Sequence, residues 1–254
     1  RGPSGGGGAA GAPAAGLAGG AAGAGESVRA GGSTARKKAA SLPPAELTRE
    51  AVLAGCEGSE ALADVAQVLF RHRGLQSLQT PSTVDFSELV TLRVLSLSHN
   101  SLTRIDPVAD LPCLVELNVN CNRIADLAPA FQCEALEVLL AANNCVPSVE
   151  GIELKMLRRL SLFSNELGDA DALLAALAGL PALRSLDLAG NPCLADPAHR
   201  YDLVRAVPRL EELDGDRLRV VDRQLADEFF ACAQEMGLQE RPRTAPRPRT
   251  APAA

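Results

Sequence analysis

The sequence predicts an α/β solenoid: a right-handed curved coil with a parallel sheet on its concave face, short helices and turns on its convex face, and a helical C-terminal cap. Three observations carry this expectation. Apolar residues recur as L-x-x-L-x-L-x-x-N-x-L six times between residues 65 and 191. The starts at Val65, Leu92, Leu114, Leu136, Leu157 and Leu183 are 27, 22, 22, 21 and 26 residues apart, room for one strand and one returning segment. An asparagine stands at one phase of five repeats: Asn100, Asn122, Asn144, Asn165 and Asn191.

This is the core pattern of leucine-rich repeats. Each L-x-L is a short strand whose alternate side chains point inward, and successive strands stack into one sheet. A single repeat cannot bury its apolar face, but neighbours do so together, each fully buried Leu contributing roughly 1.5–3 kcal/mol. The asparagine falls where the chain leaves the strand. Its amide both donates and accepts, so a row of them forms a structural ladder that pairs backbone groups inside the core.

The elements follow in order. Residues 46–64 read as an N-terminal helical cap, with Thr48 capping a helix through Leu53 and Ser59 a second reaching Val65. Residues 65–191 hold the six repeats, Arg73 replacing the first asparagine, and residues around Gln79-Thr80-Pro81-Ser82 bulge as a loop. Prolines in DLPCL (110–114) and GLPAL (179–183) stop the convex turns before the next strand. The longer fifth repeat has room for a helix capped by Asp171 and ended by Gly179. Residues 192–238 read as a cap: Leu210 and Leu213 keep the repeat phase, and a helix over 222–236 places Leu225, Phe229 and Met236 on one face to close the hydrophobic end.

The two ends differ from this core. Of the first 40 residues, 26 are Gly or Ala, too little apolar bulk to offset the entropy of ordering them, so 1–45 reads as a disordered basic tail. Position 1 is Arg, which leaves the natural start open, and the stretch reads as an extension without an address. Residues 239–254 read as a disordered Arg/Pro tail, in which 241–246 and 247–252 are both RPRTAP. The formal charge of −6 conceals +4 on residues 1–45 and +3 on 240–254, leaving −13 on 46–239.

That acidic core, with no Trp and one Tyr, argues against direct nucleic-acid binding. No apolar run reaches the ~20 residues of a membrane span. Seven scattered cysteines without a C-x-x-C pair indicate neither zinc nor a disulfide framework, and a cytoplasmic, reduced chain is expected. No catalytic constellation, cofactor motif or metal site is visible. His72 and His99 hold equivalent places in adjacent repeats, with Cys121 next, and read as exposed rim residues.

Binding is the better-supported function, by a monomer whose partner is another protein. The residues between the core leucines face the concave side: Gln67, Leu69 and Arg71; Val94, Ser96 and Ser98; Glu116, Asn118 and Asn120; Val138, Leu140 and Ala142; Arg159, Ser161 and Phe163; Ser185, Asp187 and Ala189. Val138, Leu140 and Ala142 make one strand apolar outward, with Phe163 beside it, the makeup of an interaction hot spot.

The ending Asn191, Pro192, Tyr201, Pro208, Leu210, Leu213, Asp214 and Gly215, behind repeats of about 22 residues, resembles the short-repeat leucine-rich proteins with a Tyr-containing C-terminal cap. These include the phosphatase-1 nuclear regulatory subunit, the axonemal outer-arm dynein light chain and the A-prime protein of the spliceosomal U2 particle. The resemblance covers about 46–238. It implies a non-catalytic adaptor, with a cytoskeletal, ciliary or axonemal assembly as destination; a phosphatase regulatory subunit and a ribonucleoprotein component are the alternatives, and a nuclear location stays open. The chain lacks the long acidic tail of the nuclear acidic phosphoproteins, so no chromatin role is carried over.

Overall fold

The computed structural model describes residues 46–55, 61–196 and 198–235. Both tails read from the sequence lie outside these residues. Seven strands lie parallel in chain order, and an eighth turns back antiparallel on the last. They are β1 (Gln67–Leu69), β2 (Val94–Ser96), β3 (Glu116–Asn118), β4 (Val138–Leu140), β5 (Arg159–Ser161), β6 (Ser185–Asp187), β7 (Glu212–Leu213) and β8 (Asp216–Arg217). Their centres are Val68, Leu95, Leu117, Leu139, Leu160, Leu186 and Leu213, aligned across the sheet and buried. The α/β leucine-rich-repeat solenoid expected from the sequence is the fold.

Returning segments are short because about 22 residues per turn leave little chain. Three are 3-10 turns, at Phe86–Glu88, Asp106–Asp110 and Ala128–Gln132. The fifth repeat holds a true helix, α2 (Ala170–Ala178). Its cap is Asp169, not Asp171: the Asp169 carboxylate accepts the Ala172 N–H at 3.0 Å, which starts the helix two residues earlier than expected. Gly179 ends it as predicted. At the N-terminal side Thr48 caps α1 (Arg49–Ala54), while Ser59 lies outside the described residues and Leu62–Asp64 forms only a 3-10 turn.

Five asparagines build the interior ladder, each reaching back one repeat. The Asn122 amide donates to Leu97 and Val119 carbonyls at 3.1 and 2.9 Å, and its oxygen accepts the Leu102 N–H at 3.0 Å. Asn144 and Asn165 repeat this one and two turns on. Asn191 holds Leu162, Leu188 and Leu167. Asn100 accepts two N–H groups of the first repeat, from Arg73 and Leu75, and donates to Phe70.

The residue before each ladder position is left-handed: His72, His99, Cys121, Asn143 and Ser164 have φ between 53° and 57°. The chain must turn sharply there to aim the next side chain inward, although this region costs an L residue about 1 kcal/mol or more. The sixth repeat uses Gly190 at φ 79°, where a Cβ would come within 3.3 Å of the Ser164 backbone.

The cap contains α3 (His199–Ala206), β7, β8 and α4 (Val220–Glu235). Asp214 ends the sheet: its carboxylate accepts the Leu188 and Ala189 N–H groups at 2.7 and 2.9 Å, where another strand would have supplied acceptors. One expectation fails here. Leu225 and Phe229 do not close the core; they are 46% and 41% exposed, and Ala226 is the buried residue of α4. Packing α4 against α3 at close range selects the small side chain for the contact and rotates the larger ones outward. Met236 lies outside the described residues. No described helix is long and apolar enough to cross a membrane.

Candidate functional site

Strand register arranges the outward side chains in rows across the concave face. Val94, Glu116, Val138, Arg159 and Ser185 form one row, and Leu69, Ser96, Asn118, Leu140, Ser161 and Asp187 the next. A third continues beyond the strands, because the Ala141 and Asn143 N–H groups still pair with Ser161 and Phe163 carbonyls at 2.8 Å. This brings Ala142 and Phe163 side by side. The residues expected on the concave face therefore share it, though not equally.

Most of the polar ones are engaged within the face, by other side chains or by backbone N–H groups. Arg71 Nε donates to Ser96 Oγ at 2.7 Å, and the hydroxyl lies buried. Ser98 and Ser161 are buried too, as is Ala142, so these three serines and the alanine expected to face outward form the floor of the sheet rather than its contact surface. Asn118 accepts the Asn120 N–H, and Asn120 accepts the Ala142 N–H at 2.7 Å. Ser161 donates to Asp187 at 3.2 Å. Partial burial holds the Asp187 carboxyl above its ordinary range, helped by the nearby Asp214 and opposed by the Ser161 hydrogen bond and Arg159.

The apolar ones have no such partners. Leu69 is 51% and Phe163 41% exposed, and Val94, Val138 and Leu140 are half-buried. Val138 and Leu140 follow one another on β4, and Phe163, just beyond β5, stands diagonally from Leu140, so the three lie on one patch of the face. Arg159 borders it in register with Val138, and Asp187 stands two strands from Leu140. An open sheet face of this kind suits an extended partner surface and encloses no reacting group.

Elsewhere the chemistry is structural. The His72 and His99 rings stack with centroids 4.2 Å apart, as their equivalent positions imply, and both are exposed. Among the described residues no group of three or more His, Cys, Asp or Glu is arranged to hold a metal ion. Burial raises the Cys133 thiol to about 11, and its Sγ donates to the Val108 carbonyl at 3.3 Å, so this cysteine packs the core as an unreactive thiol. Tyr201 of the cap motif stacks on Phe229, while Leu210 and Leu213 are buried. Sequence reasoning missed the outward stripe on α4; the signal was Ala226, a small residue on the helix face that had to meet α3.

Comparison with known proteins agrees with the repeats. A family profile for leucine-rich repeats (two copies) matches residues 90–133, and a second leucine-rich-repeat profile matches 153–173. Half of the chain is 33% identical over 130 residues to human cilia- and flagella-associated protein 410, covering 42% of that protein. Half is also 36% identical over 128 residues to human geranylgeranyl transferase type-2 subunit alpha, covering 21% of it. The chain thus spans less than half the length of the curated relatives it matches. Among solved structures, the Drosophila melanogaster SNF/U2A' complex has a chain similar at 26% identity and TM-score 0.43, covering 68% of this chain and 85% of that one. A Leptospira interrogans leucine-rich-repeat protein is similar at 29% identity and TM-score 0.46, covering 54% and 34%.

Proposed function

We propose that the chain is a non-catalytic adaptor that binds another protein on its concave face, centred on Leu140 and Phe163. The observation that carries this is the exposure of Phe163, 41%, beside half-buried Val138 and Leu140 on a sheet whose polar side chains are mostly engaged internally. Large apolar side chains left in water at the centre of a face, with a charged rim, are the usual makeup of an interaction hot spot. Leu69, Arg71, Val94, Glu116, Asn118, Arg159 and Asp187 surround this centre and complete the contact surface. The expected setting is cytoplasmic, in a ciliary or axonemal assembly. Support for the setting is the similarity of half the chain to cilia- and flagella-associated protein 410. Phosphatase regulation and a ribonucleoprotein role rest on the cap resemblance alone. The helix after L-D-G with paired Phe229 and Phe230 further resembles leucine-rich repeat-containing protein 61.

The test is a pull-down comparing the unaltered chain with Leu140→Asp plus Phe163→Ala, both positions lying outside the buried core. The expected outcome is loss of the partner with unchanged thermal stability. Equal partner recovery from both rejects this face as the site.

A further inference from the structure

Helix α4 turns Val221, Leu225 and Phe229 to solvent; Val221 is 58% exposed. At four-residue spacing the three lie on one side of the helix, a stripe about 12 Å long. Phe229 joins the stripe to the cap by stacking on Tyr201, with centroids 4.8 Å apart. Carboxylates border it on both flanks: at about 100° per residue, Asp222 falls about 60° to one side of Leu225 and Glu228 about 60° to the other. Arg223 is turned away and donates to the Leu210 carbonyl at 2.6 Å. An apolar, aromatic strip between two acids fits a basic ligand with compact, rigid apolar rings. A second copy of α4 would set acid against acid and is disfavoured.

We propose that this stripe docks a proline- and arginine-rich segment, and that its occupant is the chain's own RPRTAP repeat at 241–252. The repeat carries Arg241, Arg243, Arg247 and Arg249 and no acid. It follows the last described residue of α4 by only five connecting positions, 236–240. Twelve residues in an extended proline-rich conformation cover about 37 Å at ~3.1 Å each, more than the ~24 Å length of a 16-residue helix. The repeat can therefore run back along the whole stripe. Its prolines reduce the entropy lost on docking and pack on aromatic rings, while arginines reach Asp222 and Glu228 and stack on Phe229. Tethering keeps the local concentration of the repeat in the millimolar range, so a weak affinity suffices.

The chain itself carries the reporter. Tyr201 is its single tyrosine and there is no tryptophan, so tyrosine fluorescence of the full chain reads this spot. Replacing Arg241, Arg243, Arg247 and Arg249 by Glu should raise the acrylamide quenching constant of Tyr201 about twofold, because the tether no longer holds an attracted segment. Glu228→Arg should do the same, and about 0.5 M salt should bring the unaltered chain toward both variants. A free RPRTAPRPRTAP peptide added to the four-Glu variant should restore the protection. Equal quenching in the unaltered chain and the four-Glu variant would overturn the proposal. Protection that vanishes on dilution would instead assign the occupant to another molecule and reject docking within the chain.

Discussion

In the middle repeats Asn122, Asn144 and Asn165 each accept an N–H from the preceding turn and donate to carbonyls on either side of it. The two ends depart from this in opposite ways. At the first repeat the position is Arg73, which has no earlier turn to hold; its guanidinium instead lies 5.5 Å from the Phe70 ring centroid. At the last, the ladder phase falls on the apolar Leu218, and Asp214, between β7 and β8, instead takes two N–H groups of the sixth repeat that a following strand would have accepted. The ladder is therefore directional: each turn is held by the polar residue of the turn that follows. A carboxylate suffices at Asp214 because the two N–H groups it meets need only an acceptor.

Substitutions break this comparison in a definite order. Asn144→Ala leaves the buried Ile124 N–H without an acceptor and takes one of two donors from the Val119 and Ala141 carbonyls, which keep Asn122 and Asn165, and should cost about 3 kcal/mol in urea unfolding. Gly190→Ala puts a Cβ against Ser164 at φ 79° and should cost about 1–3 kcal/mol. Asp214→Ala removes the acceptor at the sheet end in a more exposed place, where about 1 kcal/mol is expected. Arg73→Asn restores the repeat consensus yet should change stability by less than about 0.5 kcal/mol, since no turn precedes it. A large gain there would show that the ladder is not directional.

The smallest effect concerns charge on the concave face. The folded-state pKa of Asp187 is raised, so its ionised form is better tolerated in the unfolded chain, and its contribution weakens stability as pH rises from the unfolded carboxyl pKa through the raised folded one. Asp187→Asn should therefore raise the melting temperature slightly at neutral pH, and the gain should vanish in acid, where both states are protonated. A gain that persists in acid would assign the effect to packing.

The sheet and its ladder were legible because period and phase are sequence properties: a leucine two residues from another, with Asn five residues after the second of each trio, determines which side chains face inward. Facing outward is a weaker statement. Ser96 and Ser98 do point to the concave side, but Arg71 comes down on Ser96 from the neighbouring strand, a contact 25 residues apart that no local pattern encodes. The helix caps show the same limit, since Asp169 and Asp171 are equally good capping residues two positions apart and only the entry direction of the chain selects Asp169. For α4 the sequence carries the apolar periodicity but not the direction in which that side faces. Periodicity identifies an apolar side, whereas the close approach of α3 decided that Ala226 would be the buried contact.

The concave face has its own contrast, between polar rows paired internally and an apolar centre left in water, and that contrast is what the adaptor reading depends on. The direct measurement is affinity purification from ciliated cells with three full-length baits, read by quantitative mass spectrometry: the unaltered chain, Leu140→Asp plus Phe163→Ala, and Met156→Asp, which alters an exposed apolar residue in the turn entering β5. The account predicts ciliary components recovered equally with the unaltered chain and Met156→Asp, and lost with the double variant. The same proteins recovered from all three baits would contradict it.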